Sequence, residues 1–106
     1  MALLHANDNN FSESLGNGLA IVDFWATWCG PCRMFGPVFE AAASEFQDIK
    51  FIKFEIDETN RATPAKYGIR SIPSIMAFKN GELAEVRTGL MDKDTFSDWL
   101  KELQGA

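Results

Sequence analysis

The sequence contains few of the residues that hold metal ions in proteins. Its 106 residues include two cysteines and a single histidine, His5. A structural zinc site takes about four ligands, mostly from cysteine and histidine side chains. Two cysteines and one distant histidine do not supply such a set, and the histidine is poorly placed as a partner for a cysteine nucleophile. We therefore expect no metal and no Cys–His pair in this chain.

Long apolar runs and basic clusters are also missing. No stretch approaches the ~20 apolar residues that a membrane helix needs, and residues 1–10 do not follow the pattern of a secretory signal. We expect no membrane contact and a cytoplasmic location, where a Cys-x-x-Cys pair is more often catalytic or metal-binding than structural. The net charge of −5, with no basic cluster, argues against a nucleic-acid partner.

The chain is well supplied with core residues. Hydrophobic residues make up 46% of it, with nine phenylalanines and three tryptophans. A length of 106 residues is typical of one domain, and this much apolar material can fold without disulfide staples. The sequence predicts a single domain, residues 1–106, whose two cysteines are not needed for stability.

The apolar patterns predict an α/β fold with a mixed sheet and helices on both faces. Strand patterns occur at residues 2–6, 20–25, 50–57, 75–79 and 82–88. Helical patterns occur at residues 11–15, at about 32–46, within 58–67, and from 92 onward. A helix separates the second and third strands, so these two are predicted to be parallel. Asn80-Gly81 predicts a tight hairpin, and Asp8 and Asp92 are predicted to cap the helices that follow them.

Both cysteines lie in the stretch Trp28-Cys29-Gly30-Pro31-Cys32, between an apolar strand and a helix. Only a thiolate attacks a disulfide, and an unperturbed cysteine is mostly protonated at neutral pH. A helix start offers free N–H groups and the positive end of the helix dipole, so Cys29 is the predicted nucleophile. Pro31 suits this position because the first helical N–H has no intrahelical partner. Trp28 adds an aromatic surface beside the sulfur.

Cys32 lies within the first helical turn and is predicted to be less exposed than Cys29. A second thiol one turn away can attack the mixed disulfide that Cys29 forms and release the substrate. That step needs a base. Asp23, inside the apolar strand, is predicted to have a raised pKa because burial disfavours its anion. Lys53 in the next strand is predicted to share its face and to offset part of that rise.

Each of these residues also has a plainer interpretation. The cysteine pair is alternatively half of a zinc site, or chemically inert. Asp23 is alternatively a polar group bonded to backbone or water, and Lys53 a solvated strand lysine. Trp25 and Trp99 are interpreted as core residues rather than site residues.

Residues 22–34, Val-Asp-Phe-Trp-Ala-Thr-Trp-Cys-Gly-Pro-Cys-Arg-Met, resemble the active-site segment of the thioredoxin family. Further matches at thioredoxin-like spacings are Pro37, Lys53 with Ile56-Asp57, residues 67–73, residues 78–81 and Gly89. The likeness covers nearly the whole chain, which makes it more specific than an isolated Cys-x-x-Cys. It implies the thioredoxin fold, a five-stranded mixed sheet flanked by four helices.

The resemblance implies a general protein-disulfide reductase that keeps protein thiols reduced and donates electrons to reductases. The Cys29–Cys32 disulfide would be the redox centre, with no bound cofactor. Reducing equivalents would come from NADPH through a thioredoxin reductase, and the substrates of the monomer would be disulfide-containing proteins. Pro73 would be cis and face the cysteines, and the backbone around Ile72 would pair with an extended substrate segment. The implied substrate-binding residues are Trp28, Gly30, Pro31, Ile72, Pro73 and Gly89.

Two positions depart from the family pattern. Ser71 stands where glycine is frequent, and Thr88 stands where an apolar residue usually precedes Gly89. Both border the implied groove, so they bear on partner choice and not on the cysteine chemistry. An oxidase or isomerase is the alternative activity, but Gly30-Pro31 is the reductase-like dipeptide, whereas oxidising relatives usually carry histidine there. A binding subunit of a larger complex is the alternative from another functional class.

Overall fold

A five-stranded sheet is the frame of the protein, and its middle strand leads into the Cys-x-x-Cys motif. A computed structural model describes residues 3–105. The strands are β1 (Leu3–Ala6), β2 (Leu19–Trp25), β3 (Lys50–Glu55), β4 (Ser74–Lys79) and β5 (Glu82–Thr88). The helices are α1 (Phe11–Leu15), α2 (Gly30–Glu45), α3 (Ala62–Lys66) and α4 (Lys93–Gly105). Ala2, which the sequence placed in the first strand, lies outside the described residues.

The strand order is β1-β3-β2-β4-β5. β3 runs parallel to both β1 and β2, while β4 is antiparallel to β2 and to β5. The predicted mixed sheet and the parallel pairing across α2 are therefore confirmed. The hairpin at Asn80-Gly81 is also confirmed, because both residues have the positive φ that a tight hairpin turn requires, 53° and 84°.

Apolar side chains cover both faces of the sheet, so β2 is buried on both sides. On one face α2 and α4 pack onto the sheet through Phe35, Phe39, Phe96, Trp99 and Leu100. On the other face the main contributors are Phe11 and Leu15 of α1, with Tyr67 and Ile69 from the segment after α3. Side chains alternate along a strand, and Ile21 packs in the layer of α2 and α4. Asp23, two residues later, therefore points toward the same layer.

The prediction that Asp8 caps α1 is wrong. The residue before α1 is Asn10, whose side chain makes no capping bond to the helix. Asp8 instead accepts the N–H groups of Ala62 at 3.0 Å and Thr63 at 2.9 Å. It therefore caps the start of α3, because the turn over residues 7–10 directs its carboxylate across to that helix.

The other helix boundaries agree closely with the sequence. α2 begins at Gly30, two residues before the predicted start, and Cys29 is its N-cap. Asp92 caps α4 as predicted, since its carboxylate accepts the N–H of Thr95 at 2.8 Å. Among the helices of residues 3–105, none is both long and apolar enough to cross a membrane.

Candidate active site

The end of β2 delivers the cysteine motif to the start of α2. The N–H of Cys29 donates to the carbonyl of Ala26 at 3.2 Å, which closes the turn between strand and helix. Cys29 has extended backbone dihedrals, and its sulfur accepts the N–H of Cys32 at 3.2 Å. Pro31 occupies the first turn, as predicted. The sulfur of Cys29 thus takes the place that a capping oxygen has in other helices.

Cys29 and Cys32 are joined by a disulfide, with their Cα atoms 5.3 Å apart. Cys29 is 6% exposed and Cys32 is 2% exposed. The predicted order of exposure is confirmed, although both residues are buried. They form a small apolar cluster with Ala26, against which Trp25 and Ile72 pack. Trp28 is 76% exposed beside them, so this end of the molecule presents an open aromatic surface.

The loop before β4 brings Pro73 to the cysteines. The Ile72-Pro73 peptide bond is cis, as the family resemblance implied. The carbonyl oxygen of Ile72 lies 3.8 Å from the sulfur of Cys29, and the N–H of Gly89 donates to the carbonyl of Pro73 at 2.9 Å. The start of β4 and the end of β5 therefore meet at the motif. Of the predicted substrate-binding residues, Trp28 and Pro31 are exposed, Gly30, Ile72 and Gly89 are half-buried, and Pro73 is buried.

Asp23 is fully buried in the middle of β2. Neither of its carboxylate oxygens has a hydrogen-bond partner among residues 3–105. Desolvation by burial raises the pKa of Asp23 to about 7; the positive charge of Lys53 lowers it, and the negative charge of Glu40 reinforces the rise. The predicted direction and cause are confirmed. The alternative of a carboxylate bonded to the backbone is not what the structure contains.

Lys53 lies directly opposite Asp23 in the register of β2 and β3. Its ammonium pairs with Glu40 at 3.1 Å and lies 4.7 Å from the ring centre of Trp25. The Lys53 side chain is 11% exposed, so the alternative of a solvated strand lysine is wrong. The predicted sharing of a face with Asp23 is confirmed, but the hydrogen-bond partner of Lys53 is an acidic residue of α2.

Sequence reasoning did not single out Glu40 or assign Trp25 to the site. Trp25 is half-buried, packs against the cysteine cluster and carries Lys53 on its ring, whereas Trp99 is buried in the core as predicted.

A signal for Glu40 was present in the sequence. It follows Cys32 by eight residues, and residues four apart lie on the same face of a helix. Glu40 therefore had to lie on the cysteine face of α2.

The geometry supports one kind of chemistry. Within residues 3–105 no group of three or more His, Cys, Asp or Glu side chains is arranged to hold a metal ion. Two cysteines bridge across the first turn of a helix, a helical N–H points at the first sulfur, and a buried carboxyl lies in the strand that leads to them. A cysteine pair of this kind, with its first sulfur at a helix start, is suited to the reversible making and breaking of a disulfide. The fold and site define a thiol–disulfide oxidoreductase.

Comparison with known proteins is consistent with this class. The model of the thioredoxin family matches residues 2–102, and the chain belongs to the thioredoxin family. It is 46% identical over 101 residues to the thioredoxin of Rickettsia prowazekii, covering 92% of this chain and 95% of that protein. It is 51% identical over 83 residues to the thioredoxin of Rickettsia typhi, covering 77% and 78% respectively. For the thioredoxin of Bacillus subtilis the identity is 40% over 99 residues, covering 92% and 94%.

Proposed function

We propose that the protein reduces disulfide bonds of other proteins, with Cys29 as the attacking thiol and Cys32 as the resolving thiol. The observation that carries this proposal is the N–H of Cys32, which points at the Cys29 sulfur from 3.2 Å at the start of α2. A helix start that donates to this sulfur in the disulfide would also stabilise the thiolate in the reduced protein.

The reaction has two exchange steps. In the first, the Cys29 thiolate attacks one sulfur of a substrate disulfide; a mixed disulfide forms, and the other substrate sulfur leaves as a thiolate and takes a proton from water. In the second, Cys32 loses its proton and attacks the Cys29 sulfur. The Cys29–Cys32 disulfide forms, and the remaining substrate sulfur leaves as a thiolate and is protonated. Two electrons pass from the dithiol to the substrate, and the protons that the two cysteines lose are balanced by those that the two substrate thiolates take up through the solvent.

Asp23 is the proposed acceptor of the Cys32 proton, directly or through water. Its pKa of about 7 suits a base that works near neutral pH. Its side chain points toward the layer of α2, as its position two residues after Ile21 requires. Lys53 is proposed to keep part of the Asp23 population ionised near neutral pH, because its positive charge lowers the pKa of Asp23 without a hydrogen bond between them.

The backbone at Ile72 is the proposed pairing site for an extended segment of the substrate. It adjoins the Cys29 sulfur, and the exposed ring of Trp28 offers apolar contact nearby. The other proposed contact residues are Gly30, Pro31, Pro73 and Gly89. One pocket of about 300 Å³ is lined by residues that include Trp28, and another of about 270 Å³ by residues that include Ser71 and Thr88. The second pocket supports a role for these two positions in partner choice.

A thioredoxin reductase that draws on NADPH is the proposed source of electrons. The cytoplasm is the proposed location, because a dithiol reductase must be kept reduced. Residues 1–106 are proposed to act as one domain and as a monomer.

Incubating the oxidised protein with NADPH and a set of thioredoxin reductases tests the recycling step. Loss of NADPH absorbance that depends on the protein supports this step, and no loss with any of the reductases contradicts it.

A trapping experiment tests the roles of the two cysteines. Cys32→Ser should accumulate a mixed disulfide with disulfide-linked insulin through Cys29, because the resolving thiol is gone. Cys29→Ser should form none. The wild type should reduce insulin when dithiothreitol is supplied. The proposal is wrong if mass spectrometry finds no adduct on Cys32→Ser, or if the wild type fails to reduce insulin.

A further inference from the structure

One face of α2 carries Cys32, Gly36 and Glu40 at intervals of four residues. Gly36 lies between the other two residues, beside the point where Lys53 reaches across from β3 to Glu40. A Cβ atom at Gly36 would lie 3.8 Å from the ammonium of Lys53 and 3.9 Å from the carboxylate of Glu40. The ion pair therefore lies beside the helix turn that separates it from Cys32.

The ammonium of Lys53 has two acidic residues near it but bonds to only one. Glu40 is at 3.1 Å and its side chain is 52% exposed. Asp23 is the register partner of Lys53 and is fully buried, yet its oxygens accept no hydrogen bond from residues 3–105. The ring of Trp25 supports the ammonium from another side, at 4.7 Å. Glu40 and Trp25 therefore hold the Lys53 ammonium in place.

We propose that Glu40 is a positioning residue of the active site: it holds the Lys53 ammonium away from Asp23 and so leaves that carboxyl free to accept the Cys32 proton. The proposal rests on the proposed role of Asp23 as the proton acceptor. A Lys53–Asp23 ion pair would make the carboxylate a weaker base, because an adjacent positive charge favours the ionised form.

The charged groups that act on Asp23 are few. Lys53 acts from β3, and Glu40 acts from α2. On β4 the register partner of Asp23 is the apolar Ile75. On α2 Cys32 shares the Glu40 face and is bonded to Cys29, whereas Arg33 donates to the carbonyl of Thr27 at 3.0 Å. α4 contributes apolar side chains to this layer.

Neutralising Glu40 should therefore lower the titration midpoint of Asp23 in two ways. The variant Glu40→Gln removes a negative charge near the carboxyl and releases Lys53 to approach it. Both changes favour the carboxylate, so the titration midpoint of Asp23 should move to lower pH by about 0.5 to 1 unit. A weaker base accepts a proton less readily, so the limiting rate of the second exchange step should fall roughly two- to threefold.

Two measurements test this. Carbon NMR of protein labelled at the aspartate carboxyls follows the titration of Asp23 directly. Stopped-flow mixing of the reduced protein with one equivalent of an aromatic disulfide, whose released thiolate is coloured, follows the exchange: the first thiolate reports attack by Cys29, and the second reports resolution by Cys32. The pH dependence of the second phase gives the midpoint in the reaction.

Glu45→Gln is the matched control. It removes the same charge from the same helix, and its partner is Lys93 at 3.8 Å, so neither the midpoint nor the second-phase rate should change. Urea unfolding of both variants verifies that they remain folded. An unchanged midpoint in Glu40→Gln overturns the proposal.

The Lys53→Met background separates positioning from direct repulsion between Glu40 and Asp23. If Glu40 acts through Lys53, then Glu40→Gln should shift the midpoint by less than half as much in Lys53→Met as in the wild type. Equal shifts in the two backgrounds would mean that Glu40 acts by its own charge alone, and the positioning role would be wrong.

The variant Asp23→Asn separates a failure of the Glu40 proposal from a failure of the proposed role of Asp23. If Asp23→Asn leaves the pH dependence of the second phase intact, then Asp23 is not the proton acceptor, and the active-site role of Glu40 fails with it. If Asp23→Asn abolishes that dependence while Glu40→Gln leaves it unmoved, then the function of Asp23 stands and only the role of Glu40 is refuted.

Discussion

Asp23 and Lys53 lie opposite each other on adjacent parallel strands, but no hydrogen bond joins their side chains. The carboxyl is fully buried, and the ammonium pairs instead with Glu40 of the neighbouring helix at 3.1 Å. Burial of the unpaired acid raises the pKa of Asp23 to about 7. A buried acid without a hydrogen-bond partner destabilises the fold whenever it is ionised.

Replacing Asp23 should accordingly stabilise the oxidised protein above neutral pH. The folded pKa of Asp23 is about 7 and its ordinary value is 3.8, so the folded state binds more protons than the unfolded state between these values. Wild-type stability should fall as the pH rises through this window, by up to about 4 kcal/mol. We expect Asp23→Asn to raise the free energy of unfolding by about 2 to 4 kcal/mol at pH values above about 7. Below the ordinary value of 3.8, Asp23 is protonated in both the folded and the unfolded wild type, and the variant should give no gain.

Urea unfolding at both ends of this pH window measures the difference. Asp98→Asn, which neutralises an exposed aspartate of α4, is the control and should change stability little at either pH. A gain for Asp23→Asn that is equal at both ends would contradict the pH-linked origin of the effect.

Gly36→Ala should stabilise the protein. Gly36 lies inside α2, where glycine costs about 1 kcal/mol relative to alanine. The new Cβ would meet only the ends of Lys53 and Glu40, at 3.8 and 3.9 Å, which is ordinary contact distance. We expect the free energy of unfolding to rise by about 0.5 to 1 kcal/mol. Thermal or urea unfolding measures this gain.

Gly81→Ala is the contrasting variant for this prediction. Gly81 has a φ of +84° in the hairpin turn, where a Cβ is disfavoured by about 1 to 2 kcal/mol. This variant should lose stability although nothing lies within 4 Å of the new atom. A loss of stability in both variants would mean that the region around the Lys53–Glu40 pair cannot take a methyl group.

Asp8→Ala should destabilise the start of α3, which lies more than fifty positions along the chain. Burial tends to raise the pKa of Asp8, but hydrogen bonds from Thr63 and Ala62 outweigh it and lower the pKa. The capping contribution is therefore present at neutral pH and is lost as the pH falls below the ordinary value of 3.8. We expect a loss of about 1 to 2 kcal/mol at neutral pH, and a smaller loss in acid.

Hydrogen exchange locates this effect. The amides of Ala62 and Thr63, which donate to Asp8, should exchange faster in Asp8→Ala than in the wild type, while those of α1 should be unaffected. Asp8→Asn keeps an acceptor oxygen and should retain part of the protection. Faster exchange in α1 alone would show that Asp8 supports α1 and not α3.

Thr88→Val should alter partner affinity and leave the cysteine chemistry unchanged. Thr88 is exposed at the end of β5 and lines the same pocket as Ser71. Valine has nearly the size of threonine and replaces the hydroxyl with a methyl group, which makes this part of the rim more apolar without touching the sulfur atoms. We therefore expect KM for a thioredoxin reductase to fall about two- to fivefold with kcat unchanged. NADPH oxidation measured against protein concentration gives both constants. Thr95→Val on α4 is the control, and a fall in kcat without a change in KM would contradict the assignment of Thr88 to the rim.

The sequence alone determined the features that depend on local patterns. The alternation and runs of apolar residues placed all five strands, Asn80-Gly81 placed the hairpin, and Cys29 before Pro31 placed the first sulfur at a helix start. A single carboxylate inside the apolar run of β2 was enough to predict the raised pKa of Asp23. These properties follow from neighbours in the chain, where spacing translates directly into geometry.

Only the tertiary structure decided which distant side chains meet. Asp8 has equal local reason to cap α1, but the turn that follows it directs the carboxylate to α3. Lys53 was predicted to face Asp23, and the strand register agrees, yet the packing of α2 over β3 brings Glu40 within 3.1 Å. Hydrogen bonds and ion pairs depend on distances of a few ångströms between elements, and sequence periodicity gives the face of an element but not the partner that packs against it.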